Sequence, residues 1–395
     1  MPMDNQDQMP SRPPFWNDPD KRALIFQAIV LAAVFAFFAY IFSNTLHNLE
    51  KRGISTGFDF LNNEAGFGIL MSLIPYDETY TFGRTFLVGL LNTLLVSFLG
   101  IILATILGFI IGVARLSNNW LIAKIATVYI ETFRNIPLLL QILFWYFAML
   151  PLLPHPRQSV NFGEAFFLNS RGLYLPAPLF ESAFLWVLAA LFVAIIAVVI
   201  LVRWAHRRQA ATGQPFHTFW VSLAILVALP AAAFVITGMP LDWDLPELKG
   251  FNFRGGMTII PELAALLLAL SIYTAAFIAE IVRSGIQAVS HGQTEAAYSL
   301  GLRPGKTLQL VIIPQAMRVI IPQLTSRYLN LTKNSSLAAA VGYPDLVAVF
   351  AGTTLNQTGQ AVEIIFMTMM VYLTISLLIS LFMNWYNKKM ALVER

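Results

Sequence analysis

Apolar residues gather into eight runs along this chain, each long enough to cross a bilayer, with polar or proline- and glycine-marked stretches between them. A helix spanning the hydrocarbon needs about 20 apolar residues. On that measure the predicted spans are 23–43, 86–114, 125–150, 182–202, 217–238, 262–282, 312–341 and 362–386. The first, "ALIFQAIVLAAVFAFFAYIF", is too long and too far from the start for a secretory signal, so it reads as a retained span. Residues 1–22 before it are polar and proline-containing and predict a disordered tail, and 387–395 form a short closing tail. The fourth and fifth spans hold almost only Ala, Val, Leu, Ile and Phe. A helix with no polar face touches lipid, so they predict a peripheral hairpin inserted at about 182–238. The seventh span is the opposite: Arg318, Arg327 and Lys333 interrupt it, and Pro322 would bend it.

Charge sets the orientation. Lys and Arg are in excess in short cytoplasmic loops, and an internal N-terminus gives the internal segments roughly twice the cations of the external ones. Both termini then face the cytoplasm. The loops 44–85, 151–181 and 239–261 lie outside, and none is long or patterned enough to be an enzyme domain. Composition agrees with an all-α integral membrane protein surrounded by lipid. Only 12% of residues are charged and 57% are hydrophobic, whereas soluble domains carry about 25% charged residues. With no cysteine, disulfides, iron–sulfur clusters and thiol catalysis are excluded. Five scattered His residues give no metal-ligand spacing, so no metal or other cofactor is expected. His155, His206, His217 and His291 sit in loops or at span ends and read as solvated. The net charge of +4 gives no sign of a nucleic-acid partner.

One internal loop carries a pattern. In "EAAYSLGLRPGKTLQLVIIP" (Glu295–Pro314), Gly301 to Thr307 looks like a phosphate-binding loop. A Walker loop needs four residues between its glycines and a strand before them. Here three residues separate Gly301 from Gly305, helix formers precede them, and Pro304 removes an N–H donor. The better reading is a surface helix of roughly ten residues. Ser290 and Gln293 match a capping box, Glu295 suits the positive helix start, and Gly301 fits a left-handed stop. Ala296 and Ala297 would let another backbone come close, although spacing alone leaves a simple connecting helix equally open.

The spacing Glu295-Ala296-Ala297, three residues, Gly301, nine residues, Val311-Ile312-Ile313-Pro314 resembles the EAA loop of ABC importer permeases, departing by Val for Ile and Ile for Leu. Further stretches resemble the polar amino-acid branch of that family: Gly89–Ser117, Tyr129–Phe147 with its run Arg134–Gln141, and Pro314–Leu346 with Lys333–Leu337. The likeness covers about 85–150 and 260–386. It implies a type I importer (MetI-like) core of five helices within 86–386. The extra first span and the inserted hairpin depart from that core and resemble the long permease subunits of general L-amino-acid importers. The resemblance also implies that the loop at about 284–311 forms a coupling helix, with Glu295, Ala296, Ala297, Gly301 and Pro314 facing or shaping the contact with an ATP-hydrolysing partner. A second permease subunit, expected to be a different and shorter chain, and a periplasmic amino-acid-binding protein complete the assembly in a bacterial inner membrane. No residue of this chain would perform chemistry.

Other residues have two readings each. Gly108 and Gly112 form a small-residue pair that favours helix packing over gating. Glu131 and Arg134, three apart, predict a structural ion pair rather than a substrate contact, and Glu280 with Arg283 repeat the spacing as a loop-anchoring pair. The polar seventh span should face the bundle interior, a subunit or water. Asn330, Lys333, Asn334 and Ser335 are its candidates for a translocation path, with Lys333 either attracting a substrate carboxylate or snorkelling to an interface. The rival class is a secondary transporter driven by an ion gradient, but no internal repeat supports it. A membrane enzyme lacks a convergent His, Asp or Glu set.

Overall fold

A computed structural model describes residues 18–51, 53, 56–163 and 165–390. The predicted tails therefore fall largely outside the described residues. In chain order the elements are α1 (Pro19–Lys51), α2 (Phe82–Arg115), α3 (Trp120–Asn135), α4 (Leu138–Leu143), strands β1 (Val160–Phe162), β2 (Phe166–Asn169), β3 (Gly172–Leu175) and β4 (Ala177–Phe180), then α5 (Phe184–Thr212) and α6 (Thr218–Ile236). Strands β5 (Leu241–Asp244), β6 (Glu247–Lys249), β7 (Asn252–Arg254) and β8 (Met257–Ile259) follow. The chain closes with α7 (Pro261–Gln287), α8 (His291–Ser299), α9 (Pro304–Thr307), α10 (Ile313–Asn334), α11 (Leu355–Thr358) and α12 (Ala361–Met390). Among the described residues seven helical segments are long and apolar enough to cross a membrane, and a bent pair makes up to eight.

The third predicted span is that bent pair. The axis turns by 106° between α3 and α4. Ile136, immediately before Pro137, is extended at φ −95°, ψ 128°, because a proline ring clashes with a helical preceding residue. The break frees carbonyls, and Gln141 answers them: its side-chain amide donates to Phe133 O and Ile136 O, both at 3.0 Å. Helix α1 begins at Pro19, where a missing N–H costs nothing.

Two compact units divide the chain. The first is Met1–Leu90 with Leu346–Thr374. Its core gathers Phe60, Ala65, Phe82, Leu346, Phe350 and Ile364. Phe60 comes from the loop read as external, in a short 3-10 turn over Asp59–Asn62. Its ring stacks 6.2 Å from that of Phe350, and Phe86 meets Phe350 edge-on at 5.0 Å. Residues Val347–Thr354, between the seventh and eighth predicted spans, wind as a wide helical turn that delivers Phe350. Glu363 accepts a hydrogen bond from Gly57 N at 2.8 Å, tying the loop to α12.

The second unit is Leu91–Asp345 with Ile375–Arg395. Its core is built where α7 and α10 pack, from Ile278, Ile281, Val282, Ala316, Ile320, Ile321 and Leu324, with Ala104 of α2 and Met383 of α12. Gly108 and Gly112 let α2 lie against α7. A Cβ on Gly108 would sit 2.6 Å from Ile278 Cβ, and one on Gly112 would sit 2.7 Å from the Ala279 carbonyl oxygen. Helices this close need small residues at the crossing. Helices α5 and α6 pack mainly on each other, turning through Gly213 at φ 71°. The loops on either side of this hairpin, 151–181 and 239–261, pair as strands. The β1–β2–β3–β8 sheet is antiparallel and joins Leu173 to Ile259, and β4 pairs with β5 from Ala177↔Asp244 to Phe180↔Leu241.

Candidate functional site

The loop between α7 and α10 stands out first. Ser290 occupies the N-cap position at φ −61°, ψ 141°, but its side chain makes no cap hydrogen bond. The expected capping box does not form because Gln293 is engaged elsewhere: its side-chain oxygen accepts from the Gln315 amide at 3.2 Å. That bond ties α8 to α10. The stop is as expected. Gly301 is left-handed at φ 77°, Gly301 N donates to Tyr298 O at 2.9 Å and Leu302 N to Ala297 O at 3.1 Å, the paired bonds of a Schellman ending. Pro304 opens α9, where a missing N–H costs nothing, and Pro314 comes just after a wide helical turn, Leu308–Ile312, that runs on into α10.

The three residues Glu295, Ala296 and Ala297 divide by exposure. Ala297 is 3% exposed and seats α8 on its own chain. Ala296 and Glu295 face outward. Among the described residues the Glu295 carboxylate reaches only His291, at 3.0 Å one turn back, and His291 stays solvated as expected, 86% exposed. Beside them Tyr298 and Leu300 are exposed, Leu300 at 82%. The product is a firmly ended helix, bonded to α10, that offers a carboxylate, a bare Ala backbone and two apolar side chains.

Next to this loop the charges of α2, α3 and α7 converge. Arg115, the last residue of α2, pairs with Glu280 of α7, and its other nitrogen lies 3.9 Å from Glu131 of α3. Glu280 also binds Arg283, whose Nε donates at 3.0 Å. The Glu280–Arg283 pair thus forms as spacing suggested. The Glu131–Arg134 pair does not. Glu131 turns toward Arg115, while the Arg134 guanidinium lies 5.3 Å from the centre of the Phe277 ring. Sequence reasoning sees only neighbours on one helix, and Arg115 reaches Glu280 across 165 residues.

The polar face of α10 is split by geometry. Asn330 and Asn334 line a cavity of about 180 Å³ with Arg327, Leu331 and three residues of α7: Tyr273, Thr274 and Phe277. Positions 327, 330 and 334 share one helix face, as i, i+3, i+7 spacing requires. Lys333 and Ser335 lie off it. Lys333 is exposed, and Ser335 is buried with its hydroxyl donating to Thr332 O at 2.7 Å. Arg327, counted in the sequence only as part of a polar run, is the cation this face presents, over Phe277 at 4.5 Å. The signal that could have found it is the period of that run. No group of metal-ligating side chains occurs among the described residues.

Comparison with known proteins identifies the family of the chain. Residues 214–392 match the family model described as the binding-protein-dependent transport system inner membrane component. YhdX of Escherichia coli (strain K12), named as an amino-acid ABC transporter permease protein, is 58% identical over 96% of this chain and 96% of that one. The general L-amino acid transport system permease protein AapQ of Rhizobium johnstonii is 54% identical over 96% of this chain and 94% of its own. BztB of Rhodobacter capsulatus, a glutamate/glutamine/aspartate/asparagine transport system permease protein, is 48% identical over 95% of both chains. Near-full coverage at this identity removes the ion-gradient transporter as a class. The chain belongs to the multi-pass inner-membrane permease proteins of amino-acid ABC transporters.

Proposed function

We propose that this chain forms part of the membrane path of an importer for L-amino acids, and that a separate ATP-hydrolysing subunit drives it by gripping α8. The observation that carries the reading is the knob itself: a nine-residue helix with a Schellman stop, anchored through Ala297 and Gln293–Gln315, and presenting Glu295, Ala296, Tyr298 and Leu300 outward. Such a helix transmits a push to α10 instead of absorbing it. In this reading α8 stands in the cytoplasm, both termini face inward, and the strands β1–β8 lie on the outer side, where a periplasmic binding protein delivers the amino acid. A second permease subunit, distinct from this chain, completes the path. ATP-driven closure of the engine would draw the coupling helices together and alternate the path between outward and inward states.

The test is uptake by the reconstituted assembly in vesicles. Glu295→Lys is expected to leave the permease inserted while uptake per ATP hydrolysed falls at least about tenfold, the scale of losing one charge-assisted contact at an interface. Full, ATP-coupled uptake by that variant would overturn the reading of α8, and ATP-independent uptake by the wild type would overturn the engine.

A further inference from the structure

At the turn of the α5–α6 hairpin the chain changes from apolar to basic. From Phe184 to Val202, helix α5 carries no charge. At 1.5 Å per residue that stretch matches a hydrocarbon core of about 30 Å, so Arg203 falls where the apolar layer ends. Arg207 and Arg208 follow on the same helix. Arg203 and Arg207, one turn apart, share an exposed face. Arg208 lies beside that face, its guanidinium 5.5 Å from the centre of the Trp204 ring and 5.9 Å from that of Phe216 in the link to α6. Those two rings meet edge-on at 5.3 Å, and the aromatic pair fixes one of the three cations in place.

No acidic residue balances this charge. None occurs between Glu181 and Asp242, and among the described residues none of the three arginines forms an ion pair. The end of α2 is different, because Arg115 pairs with Glu280 there. Nor does another helix screen the hairpin. Helices α5 and α6 pack mainly on each other and turn Ile200, Phe219 and Trp220 outward. In a bilayer the neighbours of these arginines are lipid headgroups.

A groove on α6 begins at the same end of the hairpin. It is shallow and apolar, encloses about 420 Å³, and is lined by Trp220, Val221, Ala224, Ile225, Ala228 and Leu229. Positions 220, 224 and 228 lie on one helix face, and the two alanines leave room between the larger side chains. From Trp220 to Leu229 the helix rises about 14 Å, close to the depth of one leaflet, half of about 30 Å. The groove opens four residues beyond Phe216, the ring that Arg208 faces. Cations at one end and an apolar channel running down from them match a phospholipid. A guanidinium meets two phosphate oxygens with two N–H bonds. An acyl chain gains only packing in the groove, since the lipid it leaves is equally apolar, so selectivity must come from the headgroup.

We propose that this end of the hairpin binds an anionic phospholipid, with its phosphate drawn to Arg203, Arg207 and Arg208 and one acyl chain laid along Trp220–Leu229. The three arginines lie outside the residues that match the family model, 214–392. The site stands apart from the import reading, because it requires only that α5 and α6 cross a bilayer.

The test uses the complete importer in phosphatidylcholine nanodiscs doped with a phosphatidylglycerol that carries a diazirine on one acyl chain. After illumination, the labelled peptides are mapped by mass spectrometry. Label on Trp220–Leu229 should exceed that from the same probe with a choline headgroup by at least about tenfold. Arg203→Gln, Arg207→Gln and Arg208→Gln together should lower it at least about tenfold, given about fivefold per cationic residue at an anionic surface, and leave label elsewhere on the chain unchanged. Arg203→Lys, Arg207→Lys and Arg208→Lys together should retain most of it, which separates charge from the fold of the hairpin. Ala224→Leu, which fills the groove, should lower it severalfold. Equal labelling by the choline probe, wild-type labelling of the glutamine variant, or a loss in the lysine variant as complete as in the glutamine one would each overturn the proposal. So would cross-linking of α6 to a second polypeptide in place of lipid. Displacement by inorganic phosphate, but not by chloride of equal ionic strength, would overturn it in favour of a free-ion site.

Discussion

Helices α5–α6 and helices α7–α10 are both paired membrane-crossing segments of the second unit, and they are built on opposite rules. In α7, 67% of the apolar window is buried, while in α6 none is and in α5 only 11%. The α7–α10 pair buries small and polar residues, among them Ala269, Ser271, Thr274, Ala275, Ala276, Ala279, Ala316 and Thr332. The α5–α6 pair turns Trp186, Phe192, Phe219, Trp220, Val227 and Ile236 outward. In water the outward apolar set would be a fault. In a bilayer, lipid tails are as apolar as leucine, and tight association falls to small residues and hydrogen bonds. Burial, not hydrophobicity, therefore marks the working pair. The greasier a span looks here, the less the fold depends on its side chains.

The comparison is broken most severely at its tightest crossing. Gly112→Leu puts a side chain against the Ala279 carbonyl and Val282, with the backbone oxygen only 2.7 Å from the added Cβ. Backbone cannot yield as a side-chain tip does. Overpacking costs about 1–3 kcal/mol and occasionally more, and with leucine at a backbone contact the upper end is expected. It should appear as a large drop in the unfolding temperature of the purified assembly, or as loss of assembled protein. A charge placed on the peripheral pair tests the other rule. Val227, 59% exposed near the middle of α6, faces hydrocarbon in this picture, so Val227→Arg should cost about 2.5–3.5 kcal/mol of insertion free energy. Insertion measured by glycosylation-site mapping would show it, and an unaffected variant would mean that α6 borders water.

How much of this was readable in advance follows the range of the forces involved. Span length and number were legible because crossing a bilayer is a local demand on about 20 consecutive residues. The end of α8 was legible because Gly301 and Ala297 settle it within one turn. The break at Ile136–Pro137 had a local signal too, but hydrophobicity ran through it, and only Gln141 shows how the freed carbonyls are satisfied. Arg115–Glu280 and β3–β8 were out of reach: each joins residues far apart in sequence, and the strands, of three or four residues, are too short to show alternation. The same limit hid the cavity. Asn330 and Asn334 were identified by polarity, but choosing Arg327 over Lys333 required knowing which face of α10 meets α7.

A milder change asks how firmly the working region is latched. In the chain between α10 and the wide turn Val347–Thr354, Tyr343 is fully buried and its hydroxyl donates to Asn92 O at 3.0 Å, while the Asn92 amide donates to Pro344 O at 2.8 Å. Tyr343→Phe removes one hydroxyl and keeps the ring. Hydrogen bonds between membrane helices average about 0.6 kcal/mol and reach about 1.7. A loss in that range is expected, read as a modest fall in thermal stability with uptake retained. A loss near zero would mean that the ring alone does the latching.

The smallest effect should come from the peripheral pair, and it is the sharpest check on the contrast. Phe219 lies in the first turn of α6 and is 70% exposed. Phe219→Leu exchanges one apolar side chain for another against the same apolar solvent. It removes no hydrogen bond and opens no cavity, because the ring is largely exposed and meets the adjacent Trp220 ring edge-on at 5.2 Å without being enclosed by it. Exposed substitutions of this kind stay within about 0.5 kcal/mol, so unfolding temperature and uptake should match the wild type in lipid nanodiscs. The equivalent aromatic-to-leucine change at Phe350, which is fully buried among Phe60, Phe82 and Phe86, must repack a closed cluster and should cost several times more. If Phe219→Leu instead lowered stability as much as the Phe350 change, α6 would have to be covered by another polypeptide in the assembly, and lipid would no longer account for its composition.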